Sequence, residues 1–363
     1  MSDGHQGPCG GDGNTRHAFA PVQVAVIEAP EAIPYAWQRW AVAQLVGGRG
    51  LDEVVAEMAS HGLSQESSYA ACLDLASHPA VEVARWSAER LAKLESVLTM
   101  RQQLRDLSPV GSEVERLSGL SGQEFLEDYY SANLPVVLTD VADGWTAVSS
   151  WSPSYLARSI GPEPVEIMTD RDSDQQFEVN CNSHRSMMPF DEYVEHVTAA
   201  AWSNDKYLVA NNHLLEKPAA AALWSDFAID DRYLDPARTN GSVFLWFGPG
   251  GTVTPLHHDV ANVLFVQVHG RKLVRLRSPL ETHCVYNDIG VYSQVDAAEP
   301  NLGVHPLFAR TRPFNVLLEP GQALFIPVGW WHHVTALDSS ISLSFTNFHW
   351  PNAFEWRHPH IAR

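Results

Sequence analysis

The sequence predicts a mainly β core, built as a sandwich or barrel, preceded by an α-helical region. Three observations predict it. After about residue 112, short apolar stretches of strand length alternate with polar loops punctuated by Gly and Pro. Between about Ile33 and Leu107, apolar residues instead recur at helical spacing. The 363 residues, 45% of them hydrophobic, suffice for a sizeable core and leave room for two domains. No internal repeat of fixed period interrupts this division.

Taken in order, residues 1–20 read as a mobile, Gly-rich tail with neither a basic start nor an apolar signal core. Residues 21–107 form the helical region. Tyr35 to Val46 carries Trp37, Trp40, Ala41 and Leu45 on one face, and the aromatic stripe reads as core rather than as a ligand cage. Leu51 to Ser60 repeats the pattern with Val54, Val55 and Met58. Ser64 is placed to cap a third helix, and Val81 to Leu107 sets Leu91, Leu94, Leu98 and Leu104 on one broad face. This layer suits packing on the β core, a homodimer interface or the binding of a substrate protein. Ser108-Pro109-Val110-Gly111-Ser112 is a linker, and the β-rich domain is expected over 108–363. Ser121 with Glu124 forms a capping box for a helix over Gln123–Tyr130. A short buried strand follows at Pro135–Leu138, then a tight segment at Asp143-Gly144-Trp145.

Composition excludes several function classes. Asp and Glu number 43 against 24 Lys and Arg, a formal charge of −19. Nonspecific nucleic-acid binding relies on Lys and Arg to displace counterions, so no nucleic-acid partner is expected. A basic peptide or an arginine-bearing substrate is easier to accommodate, although acidity also serves solubility. Cys9, Cys72, Cys181 and Cys284 show no CxxC pair, which argues against a disulfide framework and a structural zinc site. No apolar run reaches membrane-spanning length, and a cytoplasmic location is expected.

The chemistry concentrates in two segments. In GTVTPLHHDVANVLFVQVHGRKLVRL, His257 and Asp259 form an H-x-D whose side chains share a face of an extended chain. In PGQALFIPVGWWHHVTAL, His332 ends a second apolar run. Two imidazoles and a carboxylate on one face of an iron leave positions open, as O₂-using non-haem Fe(II) centres need. His258 and His333 adjoin these residues, but neighbours on a strand point to opposite faces, so both of a pair cannot serve. An isolated H-x-D is common by chance; Lys272 gives this one its context. Asn262–Val268, a turn at His269-Gly270-Arg271 and Lys272–Leu276 read as a hairpin returning the second strand beside the first. A lysine facing an apolar interior is expensive unless an anion pairs with it, and the far carboxylate of a small dicarboxylic acid would do so. Ile341–Phe348 reads as a last strand. The glycine-rich Gly248-Pro249-Gly250-Gly251 lacks the Lys-Ser/Thr of a phosphate loop. Trp246 and Phe247 before it shape a pocket or fill core, and Trp330 and Trp331 read as rim packing.

Together LPVVLTDVADGW, EPVEIM, DKYLVANNHLL, LWFGPGGTVTPLHHD, VQVHGRKLVRL, SQVD, EPGQALFIPVGWWHHVTAL and ISLSFTNF resemble, in content and order, the JmjC and cupin-like 2-oxoglutarate oxygenases. The match lies closest to their protein-hydroxylase branch and runs from about Ser108 to the C-terminus. The resemblance implies a double-stranded β-helix, or jelly roll, and an enzyme using Fe(II), 2-oxoglutarate and O₂. It implies iron on His257, Asp259 and His332, in preference to His258 and His333. It implies the distal carboxylate of 2-oxoglutarate on Lys272 and Thr254, Tyr207 as a further hydrogen-bond donor, and Asn347 lining the cosubstrate pocket. Relatives often carry Asn six residues after the first ligand. Here that position is Val263, and Asn262 falls one residue early, on the opposite face unless a bulge intervenes. The arginyl-hydroxylase branch places an acidic residue of the strand matching PVEIM before the substrate guanidinium, which implies substrate contact by Glu166, with Trp246 nearby.

The expected function is hydroxylation of an amino-acid side chain, arginine first, in a peptide or protein. A second candidate is hydroxylation of a peptide or tethered amino acid in natural-product biosynthesis. A non-catalytic metal-binding jelly roll acting as sensor or scaffold is the alternative of another class, and turnover of 2-oxoglutarate without substrate separates it from an enzyme.

Overall fold

The computed structural model describes residues 32–107 and 113–357. The expected tail over 1–20 and the linker Ser108–Ser112 lie outside the described residues. The chain divides into two compact units at Lys93/Leu94.

In the N-terminal unit, helices α1 (Tyr35–Val46), α2 (Leu51–Ser60) and α3 (Gln65–Ser77) lead into α4 (Pro79–Asp106), whose later turns belong to the second unit. Ser64 caps α3 through the Ser67 amide, as its position predicts. Ala41, Leu45, Val54, Val55, Met58 and Cys72 make this unit's core, with Trp37 and Trp40 packed on it edge to face at 5.2 Å. The aromatic stripe is core, as expected.

The second unit contains strands β1 (Glu115–Leu117), β2 (Val136–Leu138), β3 (Pro164–Met168), β4 (Arg185–Pro189), β5 (Val243–Gly248) and β6 (Val253–His258). It continues with β7 (Val263–His269), β8 (Lys272–Arg277), β9 (Phe314–Leu318), β10 (Ala323–Ile326), β11 (Trp331–Ala336) and β12 (Ser340–Phe345). A six-stranded sheet in the order β1-β2-β10-β7-β12-β5 faces a four-stranded sheet in the order β6-β11-β8-β9, and β3 pairs with β4 apart. This is the jelly-roll sandwich. The capping box of Ser121 and Glu124 is present, on a helical turn Gly122–Phe125 that widens into a π-turn over Leu126–Tyr130.

One expectation is overturned. β7 and β8 are not a hairpin. β7 pairs with β10 and β12, whereas β8 pairs with β11 and β9 in the opposite sheet. The turn between them is a corner from one sheet to the other. Gly270 makes it, with φ of +69° and no room for a side chain, since a Cβ would stand 2.2 Å from the Ser339 carbonyl oxygen. Lys272 is carried across the sandwich and faces β7 instead of lying beside it.

The sheets enclose two kinds of interior. Val137, Val274, Leu276, Phe314, Val316, Leu324, Ile326 and Trp330 close one end with apolar packing. Outside the four-stranded sheet, Leu256 and Trp331 pack under Val285, Val295 and Phe308. Trp330 and Trp331 are both buried, as rim packing requires, and donate through Nε1 to Asn133 and Thr282. Cys72, Cys181 and Cys284 are free thiols. No helix among the described residues is long and apolar enough to cross a membrane.

Candidate metal centre and its cavity

β6 and β11 are antiparallel neighbours, and their register sets His257 directly opposite His332. Opposed residues share a face, so both imidazoles point between the sheets, with ring centroids 4.1 Å apart. Asp259 follows the end of β6, and its carbonyl accepts from the Gly329 amide of the turn leading into β11. Its carboxylate lies 3.9 Å from His257 Nε2 and 3.6 Å from His332 Nε2. Two ligands each about 2 Å from one ion stand at most about 4 Å apart, and both separations meet that bound. These three residues offer ligand atoms that all lie within 4.8 Å of one another.

The tautomers are set locally. His257 Nδ1 donates to the Pro255 carbonyl at 2.8 Å, and His332 Nδ1 to the Trp330 carbonyl at 2.9 Å. A carbonyl only accepts, so the proton sits on Nδ1 and the Nε2 lone pair of each ring is free for a metal. Burial, with His257 alongside, pushes the His332 pKa down to about 4, keeping that ring neutral. The neighbours His258 and His333 face the other way. His258 packs edge-on to Trp331 at 4.8 Å, and His333 Nε2 lies 3.6 Å from the Asp296 carboxylate.

The three residues open into a cavity of about 330 Å³ between the sheets. Its walls alternate along each strand as pleating requires: Phe244 and Trp246 on β5, Val263 and Phe265 on β7, His332 and Val334 on β11. Thr254 also lines it, although three residues from His257, a spacing that strict alternation would send to the other face. A bulge resolves this. Pro255 and Leu256 together oppose His333 alone, and proline, with no N–H to lose, suits that place.

Lys272 forms the cavity floor and is 1% exposed. Its amine donates to Tyr207 Oη at 3.0 Å and lies among the rings of Phe265, Tyr207 and Trp246, at 4.9, 5.6 and 5.9 Å. Among the described residues burial alone shifts this amine's pKa, with no carboxylate acting on it. Burial pulls its pKa down to about 7, far below that of a solvated lysine. A buried amine with one protein partner fits an anion that arrives from outside. Tyr207 is held by Gly248, where a Cβ would come within 2.6 Å of its ring. Trp246 lines the same deep end, tied through Nε1 to Ser344 at 2.9 Å.

Two expected residues, Asn347 and Glu166, stand elsewhere, and so does Asn262, whose place depended on a bulge. Asn347 does not line the cavity; Ser344 and Thr346 do, and Asn347, one residue out of phase, donates to the Asp235 carbonyl at 2.8 Å. Asn262 is buried, accepting from the Val328 amide at 2.7 Å, while Val263 takes the wall position, so no bulge restores an Asn contact. Glu166 is not brought to this cavity. It lies on β3 opposite Met187, and its carboxylate pairs with Arg185 at 3.3 Å.

The sequence pattern assigns no role to several wall residues, Glu178 and Tyr292 among them. Glu178 is paired at 3.3 Å with Arg171, whose buried guanidinium also donates to Asn204 and to the Val253 carbonyl. Asp170-Arg171-Asp172-Ser173-Asp174-Gln175-Gln176 reads in sequence as an exposed charged loop, or as acidity near the mouth of the site, and Glu178 lies two residues beyond it. Tyr292 bridges to His257 through the backbone, and burial raises its phenol pKa.

The comparisons agree with this architecture. The chain is 32% identical over 239 residues to lysine-specific demethylase 8 of Xenopus tropicalis, covering 64% of this chain and 52% of that protein. It is 30% identical over 245 residues to Jumonji C domain-containing protein 5 of Drosophila melanogaster, covering 64% and 59%. With tRNA wybutosine-synthesizing protein 5 of Danio rerio, identity is 29% over 259 residues, covering 68% and 76%. The chain thus spans little more than half the length of the first two. The family model for the cupin-like domain matches residues 122–355, which contain both sheets apart from β1 together with every residue of the cavity, and the chain belongs to that family.

Proposed function

We propose that this chain is an Fe(II)- and 2-oxoglutarate-dependent oxygenase that hydroxylates an amino-acid side chain, arginine first, in a peptide or protein. Residues 108–363 are its catalytic domain, and 21–107 a helical region. One observation carries the reading: the His257–Asp259–His332 group and the buried Lys272 amine open into the same cavity.

In this reading His257, Asp259 and His332 hold the iron. The bound metal and cosubstrate supply O₂ activation: one oxygen atom enters a substrate C–H bond, the other enters succinate, and CO₂ leaves. The protein's work is placement. Lys272, with Thr254 and Tyr207, receives the distal carboxylate and regains a counter-charge. Trp246 and Phe265 wall that end and exclude water. Nδ1 of both histidines stays protonated on its backbone carbonyl, so neither ring turns.

A basic side chain, arginine first, is supported by charge. The cavity's other charged side chains, apart from Lys272, are the carboxylates Asp259 and Glu178. The test is mass spectrometry of arginine peptides incubated with Fe(II), 2-oxoglutarate and O₂. The proposal expects a gain of one oxygen on arginine. Equal oxidation of citrulline and lysine versions removes arginine from it, and absence of succinate removes the oxygenase.

A further inference from the structure

A second concavity, of about 230 Å³, lies beside the metal cavity, and Glu178 and Tyr292 line both. Its floor includes Pro255, whose carbonyl holds His257 Nδ1. The groove therefore adjoins the metal cavity along Glu178 and Tyr292. Its walls are rich in neutral groups that both donate and accept: Gln175, Gln176, Ser293 and Gln294. Gln175 and Gln176 are exposed, and neither side chain bonds to the protein among the described residues; Gln294 is held by Asp288. Among the described residues Glu178 is the groove's one charged lining residue, and no Lys or Arg lines it.

We propose that this groove holds the main chain of an extended peptide, whose basic side chain passes between Glu178 and Tyr292 into the metal cavity. The inference rests on the oxygenase reading and names its substrate surface. Primary-amide side chains match a peptide main chain, which offers N–H and C=O in alternation. A nucleic acid is disfavoured by the same walls, because a phosphate would meet a carboxylate and no cation. Glu178, steadied by buried Arg171, is a fixed carboxylate at the point where a guanidinium or ammonium would enter. Gln175, Gln176 and Gln294 are thus positioning residues for the chain, and Glu178 a specificity residue for the side chain.

The test uses the full chain loaded with Mn(II) and 2-oxoglutarate, immobilised and exposed to nonapeptides with a central arginine and all other positions randomised. Retained peptides are sequenced, resynthesised and titrated against acetyl-arginine-amide. Retained peptides are expected to bind at least about tenfold more tightly than the capped amino acid. The triple variant Gln175→Ala, Gln176→Ala, Gln294→Ala should lose roughly that factor, as loss of several neutral hydrogen bonds implies, with 2-oxoglutarate affinity unchanged. Glu178→Gln should shrink the preference for arginine over citrulline peptides by about tenfold. No enrichment, undiminished peptide binding by the triple variant, or displacement of the peptides by mixed-sequence single-stranded RNA would each overturn the inference. If metal-loaded protein fails to bind 2-oxoglutarate, the oxygenase reading falls and takes the groove with it. If it binds 2-oxoglutarate and retains no peptide, only the groove falls.

Discussion

At the scale of single residues, the centre depends on which face of a strand a side chain takes. His257→Ala, Asp259→Ala and His332→Ala should each abolish 2-oxoglutarate turnover, whereas His258→Ala and His333→Ala should keep part of it, because those rings pack outward on Trp331 and toward Asp296. Succinate release from purified variants checks this, and turnover near the parent level in His332→Ala would sink the assignment. Lys272 carries a second prediction. Its folded pKa, about 7, lies below the solvated value of 10.5, so the buried charge destabilises the ligand-free protein. The penalty is absent above the unfolded pKa, grows as pH falls, and is complete below about pH 7. Lys272→Met should therefore raise ligand-free stability at pH 6, on the order of 3–5 kcal/mol from the shift itself, with the gain vanishing near pH 10.5. The same variant should lose 2-oxoglutarate binding. In the parent protein, affinity should be steady below about pH 7 and weaken above it, because the bound carboxylate needs the ammonium form. Calorimetry in buffers of different ionisation enthalpy should show proton uptake near neutral pH.

At the scale of elements, local signals were legible in sequence and long-range ones were not. The bounds of α1 and α2, the Ser64 cap and the Ser121–Glu124 box are local properties of a few adjacent residues, and they appear where the sequence places them. His257 and Asp259 are likewise two apart on one extended chain. The β7–β8 corner was hidden because a tight glycine turn between two apolar runs looks the same whether the strands pair or part; what distinguishes them is Ser339, far along the chain, pressed against Gly270. Thr254 shares the cavity only through a bulge, and Asn347 misses it by one residue. Glu178 lines the cavity and Glu166 does not; each is paired, with Arg171 and Arg185, and pattern alone does not reveal pairing. The corner gives its own prediction. Gly270→Ala combines a left-handed backbone with a Cβ 2.2 Å from a carbonyl oxygen. It should cost at least about 1–3 kcal/mol, read as a lowered denaturation midpoint. Lys272 follows two residues later, so 2-oxoglutarate affinity should fall as well.

At the scale of the whole molecule, the sandwich sets a cavity that carries the His257–Asp259–His332 group and Lys272 apart from closed apolar layers, and buried charge outside the cavity weighs on stability. Glu281 is 5% exposed, and burial pushes its pKa up to about 7, against a solvated value of 4.5. Its penalty is absent below the unfolded pKa, grows as pH rises, and is complete above about pH 7, opposite in sense to that of Lys272. Glu281→Gln keeps an acceptor for the Arg312 amide, so it should stabilise the protein at pH 8 and leave it unchanged at pH 4. Chemical denaturation at the two pH values checks the sign. The central claim joins the two ends of the cavity, metal ligands at one and Lys272 at the other, in one oxygenase. Its most direct test is succinate formation from 2-oxoglutarate, followed by NMR with Fe(II) and O₂, in the parent protein and in His332→Ala and Lys272→Ala. The account predicts O₂-dependent succinate from the parent protein, none from His332→Ala, and recovery in Lys272→Ala only at much higher 2-oxoglutarate. No succinate from the iron-loaded parent protein, or equal amounts from all three, would contradict it.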